Sequence, residues 1–231
     1  SGPLRKSRWS VGAGLHGCWL GTYELEKQKI FAAHLQSGQK VYDIGANAGS
    51  YSFIAYAAAQ KNCKVFAFEP NPFTFASLSK NILLNGCAAD FTAFNAALSD
   101  QTAIAPFRYS TLRPGAASHA LIKNQTEALS ENRPFQMIQC WRLDEAIERF
   151  QLPSPTHMKI DVDGAELKVL AGAEKTLADP ELRSILVEVD ESKNSRSELS
   201  ALLKKHGFIT IQKHPVHRAS SNIFNCIFER Q

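Results

Sequence analysis

Apolar positions along this chain follow two periods. Short runs rich in apolar residues fall at residues 40–44, 64–68, 89–95 and 158–160, and "SILVEVDE" is almost wholly apolar. Runs of this length with β-branched and aromatic residues read as strands buried on both faces. Between them lie longer stretches with apolar residues three or four positions apart, which predict helices over 23–36, from 50 onward, over 72–84, over 165–177 and over 197–206. The helix at 72 carries Phe75, Leu78 and Ile82 on one stripe. Asn71-Pro72 supplies its N-cap and first-turn proline, and Asn85-Gly86 its stop. Strand and helix alternate, so the fold class is α/β, a mostly parallel sheet with helices on both faces. The last two strands, 208–212 and 223–228, are joined too closely for a parallel crossover and must pair antiparallel. Residues 97–141 are less regular, and "TAIAPFRYS" and "FQMIQCWRL" read as extra strands. The expected organisation is one domain over 37–231, preceded by an N-terminal segment and helix over 1–36 that is placed to act as a lid.

Composition narrows the class. The chain has 231 residues, 44% hydrophobic and 21% charged, ordinary for one soluble α/β domain. The net charge of +4 is mild and no long basic run occurs, which argues against a surface that tracks nucleic-acid phosphates. Arg5, Lys6 and Arg8 read as a solvated tail. Five cysteines, at 18, 63, 87, 140 and 226, have neither paired nor zinc-like spacing and are expected to be reduced thiols. No apolar run reaches the roughly 18 residues of a membrane span, and no secretory leader pattern is present, so the expected location is the cytoplasm. The chain opens Ser1-Gly2 without Met, and these first residues are set aside from fold reasoning.

Candidate chemistry gathers at strand ends, where open α/β sheets bind ligands. Strand 40–44 runs into Asp43-Ile44-Gly45-Ala46-Asn47-Ala48-Gly49. Gly45 permits a tight turn and Gly49 a close approach of the next helix. Glu69 stands at the tip of the second strand, twenty residues after Gly49, the offset expected of an acid that accepts from ribose hydroxyls. Small residues at Asn95-Ala96-Ala97 leave room for a flat ring after the third strand. The loop has the form Gly-x-x-x-Gly and lacks the middle glycine that brings backbone close to a pyrophosphate. Asp43 before the turn would repel phosphate and suits a cationic ligand. S-adenosylmethionine (SAM), which carries an ammonium and a sulfonium and no phosphate, therefore fits better than a nicotinamide dinucleotide. The bland reading of these acids is that Asp43 caps a turn and Glu69 is solvated.

"VYDIGANAGSYS", "VFAFEPNPFTFASLSKNILLNG", "NAALSD" and "MKIDVDGAELKVLAGAEKTL" followed by "ILVEVDE" resemble the FkbM-type SAM-dependent methyltransferases over about residues 21–191. The resemblance implies a Rossmann-like class I methyltransferase fold, a seven-stranded mostly parallel sheet with the last strand antiparallel. It implies O-methylation of a hydroxyl on a natural product, sugar or lipid. It places Asp43, Gly45, Asn47 and Gly49 about the methionine part of SAM, with Ala46 and Ser52 also among the cofactor-binding residues. Glu69 with Pro70 and Asn71 would lie at the ribose, and Asn95-Ala96 at the adenine. "GTYE", 21–24, resembles the family's segment before the core, which the resemblance implies as a closing element over the site.

On the acceptor side, methyl transfer is an in-line displacement at carbon, and the protein must align the nucleophile and remove a hydroxyl proton. Asp161 is the first candidate, for the acceptor or the SAM ammonium. Asp163 is the second, pointing the same way while the chain stays extended. His119, in the loop "GAASHA", is a third candidate base, although a surface histidine is the plainer reading. Glu166 would fall in a first helical turn, favoured there by the helix dipole. Asp161 or Asp163 with Glu188 or Asp190 could offer oxygens to Mg2+, but the ligand set is incomplete, so Mg2+ is a possible cofactor that is not favoured. His214 and His217 read as a polar loop, and Trp9, Trp19 and Trp141 as packing residues. Three rivals remain: a nucleic-acid methyltransferase, a NAD-dependent oxidoreductase and a catalytically silent SAM-fold domain. The first is disfavoured because Asp161-Val162-Asp163-Gly164 lacks the aromatic used for amino methylation, and Asn71-Pro72-Phe73 is explained as a helix cap.

Overall fold

The computed structural model describes residues 4–5, 7–13, 25–109, 120–122, 135–190, 195–215 and 222–231. Its element order is α1 (Leu25–Ala33), β1 (Gln39–Ile44), α2 (Ser50–Ala58), β2 (Cys63–Phe68), α3 (Pro72–Leu84), β3 (Phe91–Phe94), β4 (Ala97–Leu98), β5 (Ala103–Arg108), β6 (Ala120–Leu121), β7 (Phe135–Trp141), α4 (Leu143–Phe150), β8 (His157–Ile160), α5 (Glu166–Ala171), α6 (Glu174–Ala178), β9 (Ser184–Asp190), α7 (Ser195–Lys205), β10 (Phe208–Pro215) and β11 (Ile223–Arg230). The main sheet has seven strands in the order β10-β11-β9-β8-β1-β2-β3. Strand β11 runs antiparallel to both neighbours, and the other pairings in the sheet are parallel. The Rossmann-like sheet and its antiparallel last strand agree with the expectation.

Strand alternation divides the core. Tyr42, Ile44, Phe66, Phe68, Met158 and Ile160 face one side and pack under α5, α6 and α7 through Val169, Leu170, Leu177 and Leu203. Val41, Val65 and Ala67 face the other, against Phe31 of α1, Phe53 and Ile54 of α2, and Leu78 and Ile82 of α3. By the same alternation Asp43 of β1 and Lys159 of β8 fall on this second side. They are register partners in the parallel β1–β8 pair. Charged residues therefore sit in the two central strands at positions where flanking residues are apolar.

The two extra strands expected within 97–141 pair antiparallel as β5 and β7, in a second sheet of order β4-β7-β5-β6. Its inner side chains, Phe107, Tyr109, Ile138 and Cys140, form a small core of their own with Ala97. The helix expected over 165–177 is instead two short helices, α5 and α6. At the break, a Cβ on Gly172 would run into the backbone carbonyl of Ser99. Asp144 of α4 then restarts the helix, its carboxylate accepting from Lys175 N (2.8 Å), Thr176 N (2.9 Å) and Thr176 Oγ1 (2.7 Å). A periodic stripe in sequence does not reveal such a cap supplied from elsewhere in the fold.

Smaller expectations resolve in the same terms. Asn71 caps α3, its Oδ1 accepting from Phe73 N (3.0 Å) and Thr74 N (3.3 Å), with Pro72 in the first turn. Trp9 packs edge-on to Phe53 at 5.4 Å and Trp141 to Phe150 at 5.1 Å. Cys63, Cys87, Cys140 and Cys226 are buried free thiols. Among the described residues no helix is long and apolar enough to cross a membrane. Cys18, Trp19, 21–24, His119 and His217 lie outside the described residues.

Candidate functional site

A cavity opens at the carboxyl ends of β1, β2 and β8, beneath the small sheet. Its lining includes the polar or glycine positions Gly45, Asn47, Glu69, Asp161 and Asp163, and the apolar side chains of Phe68, Leu98, Phe107, Leu121 and Val162. Ile44, Pro70, Ala96, Ala97 and Ala165 complete its wall. Of the residues singled out from sequence, Gly45, Asn47, Glu69, Pro70, Ala96, Asp161 and Asp163 thus meet in one place. Asp43, Ala46, Gly49, Ser52, Asn71 and Asn95 are not part of the lining.

The turn after β1 is built from the inside. Gly45 has φ +74°, and a Cβ there would collide with the backbone carbonyl of Asp161, so only glycine lets the two strand ends close together. A Cβ on Gly49 would meet Leu78 and Phe53 at 2.8 and 2.9 Å, so α2 lies tight on its neighbours. The backbone amides of this turn are already used. Gly45 N and Ala46 N both donate to Phe68 O at 3.0 Å. Asn47 N donates to Glu69 Oε2 (2.9 Å), Ala48 N to Asn47 Oδ1 (2.7 Å) and Gly49 N to Ala46 O (2.9 Å).

Glu69 is 6% exposed, and its second oxygen accepts from Asn71 N at 2.8 Å. It is neither solvated nor a simple strand-end charge. Burial pushes its carboxyl up to about 7, against the opposing pull of the Asn71 and Asn47 amides and of Lys159. Asn95 supports this corner from behind, its Nδ2 donating to Glu69 O (2.8 Å) and Pro70 O (3.0 Å).

Asp43 does not face the cavity as a bare charge. Its Oδ2 accepts from Ser52 Oγ at 2.6 Å, and its Oδ1 lies 3.2 Å from Lys159 Nζ. Lys159 also donates to Gly45 O at 2.7 Å and lies 3.8 Å from Asp161 Oδ2. A second lysine, Lys27 of α1, approaches the same Asp161 oxygen at 3.6 Å. Both ammonium groups stand over the Tyr51 ring, at 5.1 Å for Lys27 and 5.4 Å for Lys159. Burial alone would lower the pKa of Lys159, but Asp43 and Asp161 outweigh it and hold the ammonium above its ordinary value. Burial would likewise raise Asp161, but Lys159 and Lys27 outweigh it and hold the carboxyl below the usual carboxylate range.

Asp161 and Asp163 do not share an extended strand. Strand β8 ends at Ile160, and Asp163 has φ +54° in the turn that follows. Alternation therefore does not apply, and Asp163 reaches the cavity rim through the turn. Glu166 holds that turn, its Oε1 accepting from Gly164 N (3.0 Å) and Val162 N (3.3 Å). Burial raises its carboxyl above the ordinary value, against those hydrogen bonds. Its bonding is that of a loop brace. Among the described residues no group of three or more His, Cys, Asp or Glu is placed to hold a metal ion.

Sequence reading did not single out Lys27, Phe107 or Leu121 as site residues. Lys27 left a signal, for it lies four positions before Phe31 on the buried side of α1, with Gln28 beside it. A lysine on a helix's buried stripe asks for a carboxylate partner. Phe107 and Leu121 left none, because which face of a short strand covers a cavity depends on the packing of the second sheet.

A seven-stranded sheet with β11 antiparallel, and a cavity at the ends of β1, β2 and β8, define a Rossmann-like methyltransferase architecture. The sequence model for the methyltransferase FkbM domain matches residues 43–210, and the chain belongs to that family. It is 28% identical over 203 residues to the methyltransferase sdnD of Sordaria araneosa, covering 76% of each chain. It is also 28% identical over 203 residues to the 31-O-demethyl-FK506 methyltransferase FkbM of Streptomyces tacrolimicus, covering 77% of this chain and 75% of that one. The hexuronic acid methyltransferase AglP of Haloferax volcanii is 30% identical over 161 residues, 70% of this chain and 60% of its own. Among solved structures, a methyltransferase FkbM from Methylobacillus flagellatus superposes with TM-score 0.59 at 14% identity, over 92% of this chain and 52% of that one. The precorrin-6y C5,15-methyltransferase of Geobacter metallireducens superposes with TM-score 0.52 at 16% identity, over 89% and 88%.

Proposed function

We propose that this chain binds SAM in the cavity at the ends of β1, β2 and β8 and transfers its methyl group to a hydroxyl of a small molecule. The observation that carries the cofactor assignment is the fate of the loop amides. In a dinucleotide site these amides, with a helix N-terminus, cradle a pyrophosphate. Here the amides of Gly45, Ala46, Asn47, Ala48 and Gly49 all donate within the protein. None of these five backbone amides remains for a phosphate, and the Asp161 carboxylate adds negative charge to the lining. A nucleoside without phosphates, carrying cationic groups, matches that lining.

In this reading the Glu69 carboxylate accepts from the ribose hydroxyls, and Ala96 and Leu98 flank the adenine. Asp43, Ser52, Gly49 and Asn71 support the turn and the α3 cap from behind the lining. Asp161, held charged by Lys159 and Lys27, suits an ammonium partner better than a general base, because a carboxyl of lowered pKa takes up a proton weakly. That leaves Asp163, on the rim, to receive the acceptor's proton as the oxygen attacks the methyl carbon in line. An oxygen acceptor is supported by a relative whose name specifies 31-O-demethyl-FK506, and a second whose name specifies a hexuronic acid acts on an oxygen-rich molecule. The apolar wall of Phe107, Leu121 and Val162 gives such a molecule a desolvated surface beside the reacting atoms.

The test is calorimetric titration of the purified protein with S-adenosylhomocysteine (SAH) and with NADH. Micromolar binding of SAH with none of NADH is expected. NADH binding would overturn the cofactor assignment. Absence of both from folded protein would make the chain a domain that keeps the fold without the activity.

A further inference from the structure

The buried charges beneath the cavity form a set whose balance bears on methyl transfer itself. From above comes Lys27 of α1, 6% exposed, 3.6 Å from Asp161 Oδ2. From β8 comes Lys159, 3% exposed, 3.8 Å from the same oxygen and 3.2 Å from Asp43 Oδ1. Asp43 is further tied to Ser52, and Glu69 stands close enough to feel both Lys159 and Asp43. The two lysines do different work. Lys159 is fixed by Gly45 O and by its register partner Asp43, so it is part of the fold. The ion pair of Lys27 reaches Asp161, which lines the cavity, from a helix that precedes the sheet.

SAM enters such a site with a net positive charge and leaves as SAH, neutral overall, because the sulfonium charge disappears as the methyl group departs. A fixed cation nearby therefore disfavours the substrate more than the transition state or product. We propose that Lys27 is a charge-balancing residue, its ammonium partly neutralising Asp161 so that the site holds the cationic cofactor less tightly than the neutral product and favours loss of the sulfonium charge. This rests on the SAM reading above. Lys27 acts through Asp161 and the local field, and is a positioning residue.

The experiment measures dissociation constants of SAM and SAH for the wild type, Lys27→Met and Lys27→Arg by calorimetry at one ionic strength. Lys27→Met is expected to shift the ratio of SAM to SAH affinity toward SAM by roughly fivefold or more, the effect of a unit charge several ångströms away in a partly solvated site. Lys27→Arg should keep the wild-type ratio. A structural role for Lys27 would weaken both ligands by the same factor, and that result overturns the inference while leaving the SAM reading intact. An equal shift in Lys27→Arg would also overturn it, since charge would then not be the cause. If Lys27→Met unfolds, Lys27→Gln carries the same comparison. Wild-type protein that binds neither ligand would remove the SAM reading and this inference with it.

Discussion

Asp43 and Lys159 are paired residues of two parallel strands, and their side chains meet as a buried ion pair at 3.2 Å, each less than 5% exposed. Tyr51 and Ser52 of α2 close over it. A lysine and an aspartate would each be costly alone in a central strand. Strand order places them side by side, and Lys159 uses its remaining reach to hold the Gly45 turn. The ligand cavity is thus built on a charge pair that a ligand need not touch.

Breaking that pair from one side leaves an uncompensated buried carboxylate. Lys159→Met is expected to cost about 3–5 kcal/mol of stability. The double variant Asp43→Asn with Lys159→Met should recover part of that loss. Denaturant unfolding of the three proteins checks this, and a double variant no better than the single would refute the coupling.

Glu69 gives stability a pH dependence with a definite sign. Its folded pKa is raised from 4.5 to about 7. The folded state therefore gains from the protonated form below the unfolded value, and loses that gain as pH rises through about 7. Between those limits the wild type should lose about 3–3.5 kcal/mol relative to Glu69→Gln, with no further change above. Unfolding free energies of both proteins across pH 4–8 measure it. A constant difference would mean that Glu69 is not perturbed.

Ligand binding should act on the same group. If ribose hydroxyls donate to Glu69, they favour its charged form. SAH should then bind more tightly as pH rises through about 7, with proton release seen as a buffer-dependent heat. Glu69→Ala should weaken SAH by about 1–3 kcal/mol through lost hydrogen bonds. Unchanged affinity in that variant would remove the ribose assignment.

Gly45→Ala tests the close approach of the two strand ends. The new methyl must displace the Asp161 carbonyl and also occupy a positive φ. The expected cost is about 1–3 kcal/mol or more in thermal or denaturant unfolding. SAH affinity should fall as well, because Asp161 moves with its own backbone. A stable variant that binds normally would show that the turn relaxes freely.

Arg230 provides a contrast far from the cavity. Its guanidinium donates to Leu182 O (2.9 Å), His206 O (2.8 Å), Leu177 O (2.7 Å) and Asp179 O (2.9 Å), and stacks over Phe208 at 4.5 Å. Lysine has one ammonium and no plane, so it cannot reproduce that fork. Arg230→Lys should lower stability by about 2–3 kcal/mol while SAH affinity of the folded protein stays at the wild-type value. Loss of affinity without loss of stability would contradict the division between frame and site.

Much of the architecture was legible from the chain alone, for reasons local to each segment. Apolar runs ending in Asp43 and Glu69, the Asn71-Pro72 cap and the short connection before β11 carry their own signals of period, capping and connection length. The same locality marked which acids and glycines stand at strand ends; Gly45, Glu69, Asp161 and Asp163 line one cavity, whereas Asp43 and Gly49 lie behind it. Tertiary structure alone decided what each of them touches. It gave Asp43 to Lys159, the loop amides to Phe68 and Glu69, and Lys27 to Asp161. It broke the 165–177 helix at Gly172 against Ser99 and laid Phe107 and Leu121 over the cavity. Hydrogen bonding and ion pairing act over a few ångströms in space, between residues that strand order and sheet packing bring together from 22 positions apart, as with Asn47 and Glu69, to more than a hundred, as with Asp43 and Lys159. Periodicity along the sequence carries no record of that distance.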